Sequence, residues 1–387
     1  MAIFTTAEIQ RRWSAVLDNL GEEQCIVVPS FHNSYYLSGF PMPRYGRFLV
    51  TILFKSGEPV LIAPDFERDS VVIDSPIQDL RTYRDQEGPT QPVVAKLIAE
   101  ALRERGVTIC ATEGEGLPVS LQNLLTTLLP EVTFVDRTDA VDLVRMVSSE
   151  EELVYLREAA RLADIGLQRV RDLLAPGVSE TEISRAAQDA MKEAASSDYG
   201  FAVSCFLQQG ERSAACHAGP ADAVIEDGQF VEVNVEAEVN HYQAAVERPF
   251  VIGELPENVR KACEVAHDAY EAALHAVKPG ARFGDVDLAS RKVLQDAGYD
   301  RITNGAGLVR ALLHESGGRM ELGDLRLHND QLIKPGMAIT VEPWAIAPGV
   351  GGPRVCNHVV VTDDGVEMLT KTAGGTVRDA VVAGKVG

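Results

Sequence analysis

The sequence lacks the marks of several protein classes. Its six cysteines are scattered without any Cys-x-x-Cys spacing, which argues against a zinc ribbon or a disulfide framework and fits a reducing compartment. No apolar run approaches the roughly 18 residues of a membrane span. The start, MAIFTTAEIQRRW, lacks the basic and then apolar pattern of a signal peptide. These features predict a cytoplasmic protein with no membrane partner.

An excess of positive charge is also missing. The chain has 36 Lys and Arg against 57 Asp and Glu, which gives a net charge of −21. Such a chain repels nucleic acid and anionic membranes, so neither is expected as a partner. The acids are spread along the chain rather than gathered in a tail, so no basic protein partner is indicated. A small cationic or zwitterionic molecule is compatible with this charge.

The first part of the chain alternates helical and strand patterns. Helical patterns are AEIQRRWSAVLDNL and QPVVAKLIAEALRERG, and strand patterns are CIVVPS, FLVTILF, PVLIAPD, VTICATE and VTFVD. A long amphipathic helix then begins near VSSEEEL, with Ser148 or Ser149 as its cap, and ends at Pro176-Gly177. We therefore predict an α/β N-terminal domain over residues 1–145 and a second domain over 146–387.

The second domain contains a quasi-repeat. LLAPGVSETEISRAAQDAMKEAA (173–195) resembles HAVKPGARFGDVDLASRKVLQDAG (275–298), and DGQFVEVN (227–234) resembles PGMAITVE (335–342). Counting from the glycines places Asn234 and Glu342 at corresponding positions. The pattern predicts an α+β domain with a pseudo-two-fold duplication and a cleft between its halves.

Two glutamates are candidates for that cleft. In EVNVEAEVNHYQAAVERPF (232–250), a strand-turn-strand pattern, alternation of side chains puts Glu247 on one face with Ala245, among mostly apolar neighbours. Glu342 ends the apolar run GMAITVE, just before Pro343. A buried carboxylate needs a partner, so both positions indicate function.

The loop RSAACHAGPAD offers a proton donor and acceptor. His217 lies among small residues, where a substrate can approach it closely, and histidine exchanges a proton near neutral pH. Cys216 is a weaker alternative as a nucleophile, because no second histidine is close to it in sequence.

Together these features resemble the pita-bread family, which includes creatinase, methionine aminopeptidase, Xaa-Pro aminopeptidase and prolidase. The resemblance covers nearly the whole chain and includes RMVSSEEELVYLREAA and KPGMAITVEP. It implies an active-site cleft between the two halves, where the peptidases of the family hold two metal ions with two Asp, one His and two Glu. Here the five ligand positions are Asn234, Ala245, Ala306 or Gly307, Glu342 and Cys356. One carboxylate does not hold a divalent ion against water, so we expect neither metal nor another cofactor.

Within the family the chain most resembles creatinase. FHNSYYLSGFPMPRYGRF (31–48), ACHAG, AAVERPF, TVEP and GGRMEL match creatinase segments. The resemblance implies the catalytic residues His217, Glu247 and Glu342, and the substrate-binding residues Tyr45, Arg47, Arg319 and His314. It places Tyr45 and Arg47 in the neighbouring subunit's site, which implies a homodimer with shared active sites.

The expected function is therefore that of a metal-independent hydrolase. Its substrate would be a small zwitterion, a guanidino or amidine compound that bears a carboxylate, and a C–N bond would be cleaved. Two carboxylates facing a planar cation accept paired, charge-assisted hydrogen bonds. Two alternatives remain at this point, namely a lyase or other bond cleavage on the same scaffold, and a non-catalytic module that binds peptides or proteins.

Overall fold

The structure is a computed structural model that describes residues 2–42, 46–299, 301, 305–312 and 320–371. The chain divides into two compact units, Met1–Arg145 and Met146–Gly387. In the ranges that the structure describes, no helix has the length and apolar character needed to cross a membrane.

The first unit is a six-stranded mixed sheet covered by helices. Its helices are α1 (Thr6–Asp18), α2 (Phe31–Ser38), α3 (Arg68–Asp74), α4 (Thr90–Glu104), α5 (Val119–Leu128) and α6 (Asp139–Arg145). Its strands are β1 (Cys25–Val28), β2 (Val50–Phe54), β3 (Val60–Pro64), β4 (Asp79–Tyr83), β5 (Ile109–Thr112) and β6 (Thr133–Asp136). The strand order is β4-β3-β2-β1-β5-β6, with antiparallel pairing of β1 with β2 and of β2 with β3. This confirms the predicted α/β architecture.

Hydrophobic runs explain why the central strands were predictable, whereas helix α2 and strand β4 are among the elements of this unit that were not predicted. Strands β1, β2 and β3 are buried at every position, as their continuous apolar sequences indicate. Helix α2 has little apolar periodicity, yet it is largely buried and ends at Gly39, whose φ of 72° favours glycine. Strand β4, with the sequence DLRTY, carries mostly polar, half-buried residues at the edge of the sheet.

The second unit contains the remaining helices and two antiparallel sheets. Its helices are α7 (Glu150–Leu173), α8 (Glu180–Ala194), α9 (Glu257–Ala276), α10 (Phe283–Asp296) and α11 (Met320–Gly323). Its strands are β7 (Phe201–Gln209), β8 (Gln229–Val239), β9 (Tyr242–Ile252), β10 (Gly307–Val309), β11 (Ala338–Val341), β12 (Asn357–Val361) and β13 (Val366–Met368). The sheet orders are β7-β8-β9 and β10-β11-β12-β13.

The predicted duplication is confirmed by the order of these elements. Each half has two packed helices followed by an antiparallel sheet, with α7 and α8 before β7–β9, and α9 and α10 before β10–β13. The second helix of each half follows a Pro-Gly turn, and Gly177 and Gly280 have φ values of 91° and 79°. Of the two serines proposed to cap α7, Ser149 is the cap, and it forms a capping box with Glu152.

Backbone hydrogen bonds join the two halves at the floor of the cleft. Glu247 on β9 and Cys356, just before β12, exchange N–H···O bonds of 3.2 and 3.1 Å. Nearby, a Cβ added to Gly307 would lie 1.9 Å from the carbonyl oxygen of Thr340, so β10 approaches β11 too closely for any side chain there. The backbone pairing between Glu247 and Cys356 therefore brings the side chains of β9 next to those at the start of β12.

Candidate active site

A cavity of about 190 Å³ lies within the second unit and draws its lining from both halves. The first half contributes Cys216, His217, Asn234, Glu236 and Glu247. The second half contributes Gly305, Gly307, Leu308, Arg310, Asp324, Arg326, Glu342, Trp344 and Arg354. The cavity is small and densely charged, and it is lined by both carboxylates and guanidinium groups.

Glu247 is a buried carboxylate with one unsatisfied oxygen. Its residue exposure is 2%, and its Oε1 accepts a hydrogen bond of 2.6 Å from Nδ2 of Asn234. The same oxygen lies 3.3 Å from Nη2 of Arg354, whereas Oε2 has no hydrogen-bond partner. Burial raises the pKa of Glu247 to about 7; the charge of Arg354 opposes this rise and that of Glu342 adds to it. Glu247 can therefore take up or release a proton near neutral pH.

Glu342 is presented at the end of β11 beside Glu247. Its backbone N–H donates to the carbonyl of Ala306 at 2.7 Å, which holds the end of the strand. Its Oε2 accepts a hydrogen bond of 3.5 Å from the thiol of Cys356 and lies 3.8 Å from Nη2 of Arg310. Burial, together with the charges of Glu342 and Glu247, raises the pKa of Cys356 well above its usual value. Cys356 is therefore a neutral donor to Glu342.

Two buried arginines that line the cavity were missed by the sequence reasoning. Arg354 donates to Sγ of Cys216 at 2.9 Å from Nη1, and Arg310 donates to Oε1 of Glu236 at 3.1 Å from its own Nη1. Burial alone would lower the pKa of each guanidinium, but the surrounding carboxylates raise it, with Glu247 the strongest for Arg354. A sequence signal exists, because each arginine interrupts a run of small or apolar residues, GLVRALL and GGPRVC, where an isolated charge needs a buried partner.

His217 and Cys216 lie at the mouth of the cavity. His217 is exposed and follows a short helical turn at Gly210–Ala214, and its Nε2 lies 3.9 Å from Sγ of Cys216. Burial raises the pKa of the Cys216 thiol above its ordinary value, despite the nearby charge of Arg354. A thiol that stays protonated is a poor nucleophile, so the weak prediction of Cys216 as a nucleophile gains no support.

The structure brings together three of the seven predicted site residues, His217, Glu247 and Glu342. Arg47 belongs to the first unit, where Nη1 and Nη2 donate to the two carboxylate oxygens of Asp85 at 2.6 and 2.7 Å. The other three, Tyr45, His314 and Arg319, lie outside the described residues. The catalytic and substrate-binding roles of all seven stay predictions.

Comparison with known proteins decides the family. The model of "Metallopeptidase family M24" matches residues 154–363, and that of "Creatinase/Prolidase N-terminal domain" matches residues 12–147. The chain belongs to metallopeptidase family M24. The predicted pita-bread fold is confirmed, and the family is one of hydrolases.

Relatives of this M24 chain carry the names of dipeptidases. It is 28% identical over 346 residues to "Putative dipeptidase YkvY" of Bacillus subtilis (strain 168), covering 88% of this chain and 91% of that protein. Dipeptidase PepE from Mycobacterium ulcerans has a similar structure, with a TM-score of 0.81, 25% identity and coverage of 96% and 97% of the two chains. Xaa-Pro dipeptidase from Bacillus anthracis has a TM-score of 0.79 at 23% identity, with coverage of 95% and 98%.

The predicted activity on a guanidino or amidine compound is wrong. The family is one of peptidases, two of the similar proteins are named as dipeptidases, and nothing in the comparisons supports the lyase or the non-catalytic alternative. The prediction of a creatinase-like, metal-independent enzyme is wrong as well, because the family is described as one of metallopeptidases. The motifs ACHAG, AAVERPF and TVEP describe a shared scaffold, and a scaffold does not decide which bond is cleaved.

The described side chains nevertheless do not fit the pair of metal ions that the resemblance implies for peptidases of the family. Among the described residues, the one His, Cys, Asp or Glu cluster close enough to hold an ion is Glu247, Glu342 and Cys356, whose ligand atoms lie within 4.8 Å of one another. Its thiol is held protonated, and Arg354 and Arg310 lie 3.3 and 3.8 Å from its carboxylates. A divalent ion there would face two fixed positive charges. We therefore derive no catalytic step through a metal ion.

The raised pKa of Glu247 makes stability depend on pH. The folded carboxyl has a pKa of about 7, against 4.5 for the ordinary group, so between these values only the folded state holds the proton. The stabilisation that this bound proton gives the folded state is full below pH 4.5, and it is lost as pH rises toward 7. We expect the free energy of unfolding of the wild type, relative to Glu247→Gln, to fall by up to about 3 kcal/mol over that range.

Denaturant unfolding at a series of pH values measures this difference. Glu211→Gln, at an exposed position of the same unit, is the matched control and should track the wild type. Parallel pH curves for wild type and Glu247→Gln would show that the Glu247 carboxyl titrates normally in the fold.

Proposed function

We propose that the protein hydrolyses the peptide bond of a short peptide, of dipeptide size, within this cleft. The observation that carries the proposal is the small cavity, in which the buried Glu247 and the partly buried Glu342 lie with guanidinium groups and His217. Membership of family M24 and the dipeptidase names of its relatives support the same reaction.

The size and charge of the cavity suit a free dipeptide. Its volume of about 190 Å³ is below the roughly 300–1,000 Å³ of pockets for larger ligands. Among the described lining residues, the four carboxylates Glu236, Glu247, Asp324 and Glu342, when ionised, outnumber the three guanidinium groups of Arg310, Arg326 and Arg354 by one negative charge. A substrate ammonium group would balance that charge through a charge-assisted hydrogen bond to Glu342, and Oε2 of Glu247, which has no partner, would stay open to accept a proton.

The reaction can be written with the chain's own groups. Glu247, with a pKa of about 7, accepts a proton from the attacking water as the new C–O bond forms. Arg354 donates from a buried guanidinium to the oxyanion that develops on the scissile carbonyl. His217 donates a proton to the leaving amine as the C–N bond breaks, and it regains that proton from Glu247 directly or through water.

A panel of dipeptides tests this reaction. In water labelled with ¹⁸O, we expect free dipeptides to be cleaved with label in the new carboxylate, and N-acetylated dipeptides to react far more slowly because they lack the ammonium group. The value of kcat/KM should rise as pH increases through about 7, since Glu247 acts in its ionised form.

Variants assign the roles in the same assay, run after chelation and again with added Mn²⁺. Glu247→Gln and His217→Ala should each lower kcat by about 10²–10⁴-fold. His241→Asn, a hairpin histidine outside the cavity whose positive φ suits asparagine, should leave the rate within a few-fold. The proposal fails if no free dipeptide is cleaved under either condition, or if Glu247→Gln retains full activity.

We further propose that the protein works in the cytoplasm as a homodimer whose subunits share active sites. The support is the resemblance of residues 31–48 to a creatinase segment that reaches the neighbouring site, together with six cysteines that are all free thiols. The zwitterionic substrate predicted from the sequence is, in this proposal, the dipeptide itself.

Mixed dimers test the sharing of sites. If Arg47 serves the neighbouring subunit's cleft, a mixture of inactive Arg47→Ala and inactive His217→Ala chains should recover activity, since mixed dimers contain one intact site. The expected recovery is about a quarter of the wild-type rate after complete random exchange. No recovery, once native mass spectrometry has shown mixed dimers, would place each site within a single chain.

A further inference from the structure

A buried carboxylate lies at the base of the loop that carries His217. Glu180 is the first residue of α8, and its side chain is fully buried. The chain leaves β7 at Gln209 and is fixed again at Ala221, whose carbonyl accepts the backbone N–H of Thr181 at 3.2 Å. We call residues 209–221 the His217 loop. The start of α8 therefore lies beside both ends of this loop.

The carboxylate of Glu180 joins the two ends of the His217 loop. Its Oε1 accepts a hydrogen bond of 2.9 Å from the backbone N–H of Gln209, where the loop begins. Its Oε2 accepts one of 2.8 Å from the backbone N–H of Ala221, where the loop ends. The same oxygen accepts a bond of 2.6 Å from Nη1 of Arg212, inside the loop. One side chain therefore holds both ends of the loop and a residue between them.

Arg212 extends this network toward His217. Its Nη2 donates at 3.0 Å to the carbonyl of Gly219, two residues after His217, and Nε2 of Gln208 donates to the carbonyl of Ala218. The histidine itself is exposed, so its ring is not held by close packing. The place of the ring at the cavity mouth therefore depends on how firmly the backbone of the loop is held.

Helix α8 does not need Glu180 as its cap. Ser179 is the capping residue, and its Oγ accepts the backbone N–H of Glu182 at 3.1 Å. Burying a carboxylate costs free energy unless donors compensate it, and the donors found here belong to the His217 loop. The buried carboxylate is therefore explained by what it does for the loop rather than for the helix.

We propose that Glu180 is a positioning residue, which holds the His217 loop so that His217 stands at the mouth of the cavity within reach of a bound substrate. The inference rests on the proposed function for the role of His217 as proton donor. Glu247 and Glu342 lie on β9 and after β11, outside this loop. Loosening the loop should therefore impair proton transfer more than substrate binding.

Steady-state kinetics with a cleaved dipeptide compares Glu180→Gln with Glu182→Gln. Glutamine keeps the size of the side chain but turns one accepting oxygen into an NH₂ group, which opposes the donors that face Glu180. Glu182 is in the same helical turn and exposed, so its variant is the matched control. Glu180→Gln should lower kcat by about 10–100-fold and leave KM within a few-fold, whereas the control should match the wild type.

The His217→Ala background separates positioning from packing. If Glu180 acts through His217, adding Glu180→Gln to His217→Ala should change kcat far less than it does in the wild type, because the positioned group is already gone. An equal loss of kcat in both backgrounds would show that Glu180 does not act through His217, and it would overturn the inference.

Hydrogen–deuterium exchange measures the loop without any substrate. The amides of residues 209–221 should exchange faster in Glu180→Gln than in the wild type, and at the wild-type rate in Glu182→Gln. If the wild type cleaves no dipeptide, the proposed function fails, and the exchange rates still decide whether Glu180 holds the loop. Unchanged exchange at residues 209–221 in folded Glu180→Gln overturns the inference whatever the activity.

Arg212→Gln decides the matter if Glu180→Gln does not fold. The Arg212 side chain is 38% exposed, so we expect its replacement to be tolerated, and the variant loses the bonds to Glu180 and Gly219. The inference predicts faster exchange at residues 209–221 and a lower kcat for this variant as well. Exchange at the wild-type rate there would contradict it.

Discussion

The compensation of buried carboxylates by buried guanidinium groups is the constraint on which the cleft depends. Glu247 and Glu342 are brought together because β9 and the start of β12 exchange backbone hydrogen bonds across the two halves. Once they lie a few ångströms apart, the charge of Glu342 and the burial of Glu247 both disfavour the ionised form of Glu247. The charges of Arg354 and Arg310 offset part of these costs, and the pKa of Glu247 is still raised to about 7.

Much of the fold could be predicted from the sequence. The apolar runs of β1, β2 and β3 define a buried sheet, and the repeated Pro-Gly-helix phrase defines the duplicated second unit. Helix α2 and strand β4 could not be predicted, because their burial and pairing come from neighbours distant in sequence rather than from their own periodicity.

The candidate site was predictable only in part, for a related reason. Glu247, Glu342 and His217 each have a local signal, in strand alternation, in an apolar run or in a loop of small residues. The contacts of Arg310 and Arg354 depend on partners that are distant in sequence, since Glu236 is 74 residues from Arg310 and Cys216 is 138 residues from Arg354. Residue types at ligand positions also did not predict the family's reaction, because a fold shared by dipeptidases and other enzymes carries more than one chemistry.

The central claim is that the acidic floor of the cleft binds the ammonium end of a short peptide. It is tested most directly by the crystal structure of the His217→Ala variant soaked with an intact dipeptide. The account predicts that the ammonium nitrogen lies within hydrogen-bond distance of a carboxylate oxygen of Glu247 or Glu342, with the scissile carbonyl facing Arg354. A dipeptide bound in the reverse direction, with its carboxylate on Arg354 and its ammonium group away from both glutamates, would contradict the account.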